Sequence, residues 1–180
     1  MKRLFHREAI GRESGGSFLG AAMSEDRLKM LRGTPIFGGV RDDILEFLLA
    51  KVRDVVLPEG EFLFVEDDPC EAMYILERGQ VAILRRWNGI YYRLNFLNAG
   101  DCIGEMSLMD LGRRSASVLA MTDCAAIEVT HDAIFELYEH DLEQFALIQM
   151  NISRELSRRL RVADESLFSE LIQGDQIQRH

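Results

Sequence analysis

Seven short runs rich in Val, Ile, Phe, Tyr and Leu follow one another along the middle of the chain, and this constrains the fold most. They are Val55–Leu57, Phe62–Val65, Met73–Glu77, Val81–Trp87, Tyr91–Leu97, Ser117–Met121 and Ala125–Val129. Turn residues cut them apart: Pro58-Glu59-Gly60, Asp67-Asp68-Pro69, Gly79, Asn88-Gly89 and Ala99-Gly100-Asp101. Asn88-Gly89 is a strong hairpin signal, because a two-residue turn needs positive φ at both positions. Trp87 beside it is expected on the hairpin surface. Regular short strands with this punctuation predict a small barrel or sandwich.

Helical patterns flank the strand region. From Ser24 to about Arg53, Leu28, Leu31, Ile44, Phe47 and Leu48 recur at helical spacing, interrupted by Pro35 and Gly38-Gly39. Asp42 and Asp43 stand where a helix start favours acids. From Asp132 to Gln173 there is neither Gly nor Pro, and Phe145, Ile148, Ile152, Leu156, Leu160, Ala163, Leu167 and Leu171 form one stripe. Gly174 is placed where such a helix would end. This is more amphipathic helix than one small β unit can cover. It either lies along its own β unit or pairs with a second copy. The expected organisation is an extension at 1–23, a helical segment at 24–54, a β unit at 55–130, helices at 131–173 and a tail at 174–180. Within the extension, Gly11–Ala22 reads as flexible, and Met23-Ser24-Glu25 resembles a start.

One segment, Gly100–Val118, breaks the strand alternation. Met106–Leu111 can form one or two helical turns between Gly104 and Gly112. Such a turn opens on unpaired backbone N–H groups, which favour an anion. Gly104 permits a tight turn and close approach. Arg114 returns to the same place, and its planar fork suits the two exocyclic oxygens of a phosphodiester. Ser115 adds a hydroxyl, and Ala116 keeps the wall small. Glu105 beside a phosphate makes sense only if the ligand also offers hydroxyl hydrogens, as a ribose does.

Gly104-Glu105-Met106-Ser107-Leu108 followed by Arg114-Ser115-Ala116 resembles the phosphate-binding cassette of cyclic-nucleotide-binding domains, over about Leu28 to Phe168. Tyr74-Ile-Leu-Glu-Arg-Gly79 and Leu97-Asn-Ala-Gly-Asp101 extend the likeness. The resemblance implies an α+β fold: an antiparallel, jelly-roll-like β-roll with cassette 103–117, N-terminal helices and a long C-terminal helix. It implies cAMP or cGMP as ligand and no cofactor. Glu105 would take the ribose hydroxyl, Arg114 the cyclic phosphate, and Ser115 the phosphate or base. Backbone N–H groups near Met106 and Ser107 would complete the anion site. Ile83 and Leu94 match the base-and-sugar wall, and Ile103 belongs to the same candidate set. The family's base-capping hydroxyl pair is replaced by Ala163 and Asp164, and Asp164 is expected to read the base. Arg158, Arg159 and Arg161 are expected as a solvated face, with Arg159 included as a candidate ligand contact. The chain stops soon after this helix, so no winged DNA-binding domain is expected.

Composition narrows the function classes. A formal net charge of −9 over 180 residues opposes a surface built for long nucleic acids. No run reaches the roughly 18 apolar residues of a membrane span, and Arg7, Glu8, Arg12 and Glu13 break up any signal peptide. Cys70, Cys102 and Cys124 fit no metal or disulfide pattern, so a reducing cytoplasm is expected and no metal site. Cys102 is expected as a buried structural thiol. The four histidines are scattered, and no nucleophile–base constellation appears, so an enzyme is not expected. The expected function is a cyclic-nucleotide sensor, a homodimer through its C-terminal helix, that signals to an unidentified protein partner. The alternatives are a ligand-free dimeric module of the same fold, or a transcription regulator lacking its DNA-binding part.

Overall fold

In a computed structural model the described residues are 17–110 and 112–177, with side chains described from Glu25 to Ile172 apart from residues 107, 108, 110 and 111. Helix α1 (Ser17–Gly33) leads through a 3-10 turn (Pro35–Phe37) to α2 (Asp42–Leu49). The first helix therefore starts at Ser17, within the stretch expected as extension. Residues 1–16 lie outside the described residues.

Eight strands follow: β1 (Arg53–Leu57), β2 (Phe62–Phe64), β3 (Ala72–Arg78), β4 (Gln80–Trp87), β5 (Ile90–Asn98), β6 (Cys102–Ile103), β7 (Ser117–Ala120) and β8 (Cys124–Thr130). They form two four-stranded antiparallel sheets, ordered β1-β8-β3-β6 and β2-β7-β4-β5. The expected β-roll is present, as two open sheets rather than a closed barrel. Asn88 and Gly89 have φ of 49° and 82° and close the β4–β5 hairpin between paired Trp87 and Ile90.

Strand β3 shows how the layers hold together. Its Ala72, Tyr74 and Leu76 point between the sheets, onto Val81, Leu97, Val118 and Ala120. Its Met73 and Ile75 point the other way, into a second core with Phe37, Ile44, Leu45, Leu48, Leu137, Ile148 and Ile152. Side chains alternate along a strand, so a strand buried on both faces needs an unbroken apolar run. Ala72–Leu76 supplies one.

Helix α3 (Glu105–Asp110) interrupts the roll, and α4 (His131–His140) and α5 (Leu142–Ile177) close the chain. The Thr130 Oγ1 caps α4 by accepting the Ala133 N–H at 3.2 Å, and Asp141 Oδ1 caps α5 by accepting the Gln144 N–H at 3.0 Å. Asn151 then fixes α5 to the 3-10 turn, donating to the carbonyls of Ile36 (3.2 Å) and Gly38 (2.8 Å). Beyond Leu156 the helix leaves the core: Leu160, Leu167, Phe168 and Leu171 are all more than half exposed. It continues through Gly174, where the sequence suggested an end. One glycine costs a helix interior only about 1 kcal/mol relative to alanine.

Candidate ligand-binding site

The segment between β6 and β7 folds around one side chain. Gly104, at φ 81°, turns the backbone out of β6 and into α3. The opening amides of α3 have no intrahelical partner by geometry. Arg114 comes back beneath them because its backbone is pinned to the turn after β2. Its N–H donates to Asp68 O at 3.0 Å, and its carbonyl accepts from the Asp67 N–H at 2.9 Å.

Arg114 is 4% exposed. Its Nη2 donates to Ala72 O at 2.7 Å and its Nη1 to Gly104 O at 3.4 Å, while the guanidinium lies 4.0 Å over the Phe64 ring. Its Nε has no hydrogen-bond partner, and no carboxylate pairs with it among the described residues. A buried cation without a counter-charge is costly, and an anion is what would compensate it.

Glu105, also buried, feels the charge of Arg114 but forms no ion pair with it. Its Oε1 accepts from Arg159 Nη1 of α5 at 2.6 Å. Arg159 in turn gives its Nε to Glu155 at 3.0 Å, and Glu155 holds Arg158 at 2.7 Å. Burial pushes the Glu105 carboxyl above the usual carboxylate range, against the pull of Arg159, whose charge Glu155 shares, and the smaller pull of Arg114. The bond to Arg158 first, and then the one to Arg159, hold Glu155 below that range. Arg159, expected mainly on a solvated face, is thus the tie between α5 and the cassette.

These groups surround a cavity of about 380 Å³, within the roughly 300–1,000 Å³ of small-molecule sites. Ile83, Leu94, Ile103, Gly104, Glu105, Met106, Arg114, Ser115, Ala116 and Arg159 all line it. The side chain of Ser107 lies outside the described residues. Asp164 is exposed and does not line the cavity; its neighbour Ala163 does. The two lie about 100° apart on a helix, so only one of them can face a given wall. Asn95, which the sequence reading did not single out, also lines the cavity. Cys102 reaches it as well, with its thiol buried against Met73 Sδ at 3.9 Å and pushed well above the usual thiol range by that burial. A shallower groove of about 410 Å³ beside α1 has its Arg27 already tied to Glu77 and Asp54. Among the described residues no cluster suits a metal ion, and no helix is long and apolar enough to cross a membrane.

Residues 54–141 match the family model of the cyclic nucleotide-binding domain. The chain is 31% identical over 138 residues to the cyclic AMP receptor protein of Thermus thermophilus, covering 76% of this chain and 62% of that one. It thus spans about three fifths of the length of this relative. The crystal structure of Thermus thermophilus catabolite activator protein superposes with a TM-score of 0.65 at 30% identity, over 74% of this chain and 61% of that one. A cyclic nucleotide-binding domain from Methylobacillus flagellatus gives 0.73 at 21% identity, over 83% and 84%, a likeness of fold.

Proposed function

Since residues 54–141 belong to the cyclic-nucleotide-binding domain family, we propose that this chain is a non-enzymatic regulatory module that takes cAMP into the cavity beneath α5. The buried Arg114 guanidinium, lacking a carboxylate and with Nε unpartnered among the described residues, carries this reading. A cyclic phosphate compensates that charge with two exocyclic oxygens suited to the guanidinium fork. Ser115 lines the same cavity, and the opening amides of α3 are read as completing the anion site. A carboxylate accepts more than one donor, so Glu105 can hold Arg159 on Oε1 and still take a ribose hydroxyl. Ile83 and Leu94 face the sugar and base.

Arg159 makes the binding event felt outside the cavity, because one side chain touches both the cassette and α5. A ligand that engages Glu105 and Arg114 favours one setting of that tie over another and so shifts the population of α5 positions. The exposed stripe Leu160, Leu167 and Leu171 is read as the seam with a second copy, and a further protein as the recipient of the signal. A cytoplasmic setting is part of the proposal.

Isothermal titration with cAMP and, separately, cGMP tests it. Roughly micromolar or tighter binding that Arg114→Ala abolishes supports the reading. No heat and no thermal shift with either nucleotide would overturn it in favour of a ligand-free interaction module.

A further inference from the structure

The face of an aromatic ring carries partial negative charge and attracts a cation. Arg114 has such a face against it: its guanidinium carbon lies 4.0 Å from the ring centroid of Phe64 and 5.6 Å from that of Tyr74. The other anchors of this side chain are neutral carbonyls. The bond from Nη2 to Ala72 O is short, at 2.7 Å, and the one from Nη1 to Gly104 O is long, at 3.4 Å. One short hydrogen bond fixes one nitrogen but leaves the planar group free to turn about it. A ring lying on the guanidinium fixes the plane.

Phe64 reaches this place through the register of β2. Phe62 pairs with Leu119 and Phe64 with Val118, so β2 carries one extra residue between them, a β-bulge. Val118 pairs on its other side with Ile83, and residues directly opposite across strands share a face. Phe64, Val118 and Ile83 accordingly line the same cavity. Phe62 is instead exposed, with its ring 5.5 Å from that of Tyr91. Residues two apart on a regular strand share a face, and the bulge is what separates the two phenylalanines. Tyr74 backs the arrangement from β3. Its ring centroid lies 6.1 Å from that of Phe64, and its hydroxyl donates to the buried Glu128 at 3.1 Å.

On the cyclic-nucleotide reading above, we infer that Phe64 is a positioning residue for the phosphate: its ring holds the Arg114 guanidinium in the plane that receives the anion, before the ligand arrives. A site whose competent setting is populated only part of the time binds more weakly by that fraction. An aliphatic side chain at residue 64 would wall the cavity but would not hold the cation.

Calorimetry with cAMP on the full chain tests this. Phe64→Leu keeps an apolar wall and removes the ring face, and is expected to weaken binding about three- to tenfold. Phe64→Tyr restores the ring and should stay within about twofold of the unaltered chain. Fluorinated phenylalanines, placed at residue 64 alone by stop-codon suppression, nearly keep the ring's shape while draining negative charge from its face. Each added fluorine is expected to weaken binding further. A wall or folding role does not depend on ring charge, so an affinity that stays flat across the fluorinated series would overturn the inference, whatever Phe64→Leu does. An affinity that rises would overturn it too, because the ring would then compete with the phosphate for the cation. If the unaltered chain does not bind cAMP, the cyclic-nucleotide reading itself falls, and this inference with it. That result is read before any variant is made.

Discussion

Gly104 and Arg114 compete for the same small volume: a Cβ at residue 104 would lie 3.2 Å from Arg114 Cζ and overlap its Nη1. Two constraints therefore meet at one position. The positive φ of 81° disfavours any side chain, and the guanidinium fills the space a side chain would take. Gly104→Ala is expected to displace the guanidinium end of Arg114 and weaken cAMP binding at least about tenfold, with the far-UV circular dichroism of the two sheets retained. Unchanged affinity in a folded Gly104→Ala protein would show that Arg114 does not need this position.

Arg114→Ala should weaken cAMP binding by about 2–5 kcal/mol, the loss typical when one partner of a buried charge pair is removed. Arg114→Lys should recover only part of it, since an ammonium cannot present the same two-pronged face. Calorimetry on both variants decides this, and full recovery by lysine would argue against fork-to-phosphate contact.

Burial holds the Glu105 carboxyl above its ordinary value, so the folded chain takes up this proton at a higher pH than the unfolded chain. Between the two values the unliganded protein gains stability from this group as pH falls, the opposite sign to a depressed carboxylate. On the proposed reading the ribose hydroxyl is accepted better by the ionised form, so cAMP affinity should fall over that same window. Titrations from neutral pH downward should show the decline, and Glu105→Gln should flatten it. An equal slope in the variant would assign the pH dependence to another group.

Asn151 is 8% exposed and holds two carbonyls of the 3-10 turn. Asn151→Ala strands both, for an expected loss of about 1–3 kcal/mol in urea unfolding. It lies away from the cavity, so cAMP affinity should stay within about twofold. A stability change near zero would mean that water replaces the amide.

Leu167 is 57% exposed on α5. Leu167→Glu is expected to leave the fold intact and convert a dimer to a monomer by light scattering. A dimer that survives this change and Leu160→Glu would move the interface off the distal helix.

The strand runs were legible because Ala72–Leu76 and its neighbours are apolar on both faces, and because Asn88-Gly89 can be little other than a hairpin turn. Strand β6 was missed: two residues, Cys102 and Ile103, carry no period. The segment Gly104–Ala116 stood out through glycine spacing and charge, and its reading as a phosphate-binding cassette came from the family resemblance. What escaped depends on tertiary register. Asn95 lines the cavity opposite Ile83, a placement that follows only from the pairing of β4 with β5. Asp164 looked like a base contact because the resemblance placed it beside Ala163, whereas of these two exposed residues only Ala163 lines the cavity. Arg159 looked solvated because nothing local reveals that Glu105 lies across from it.

Helix α5 is bolted at one end and bare at the other. Beyond Ala163 on the cavity wall it runs on to Ile177, about 20 Å at the ordinary rise per residue. Over that length, a tilt of about 10° sweeps the tip sideways by roughly 3–4 Å. If ligand binding acts through Arg159 as proposed, the distal helix serves as a lever arm, turning an ångström-scale adjustment there into a displacement of several ångströms at its tip.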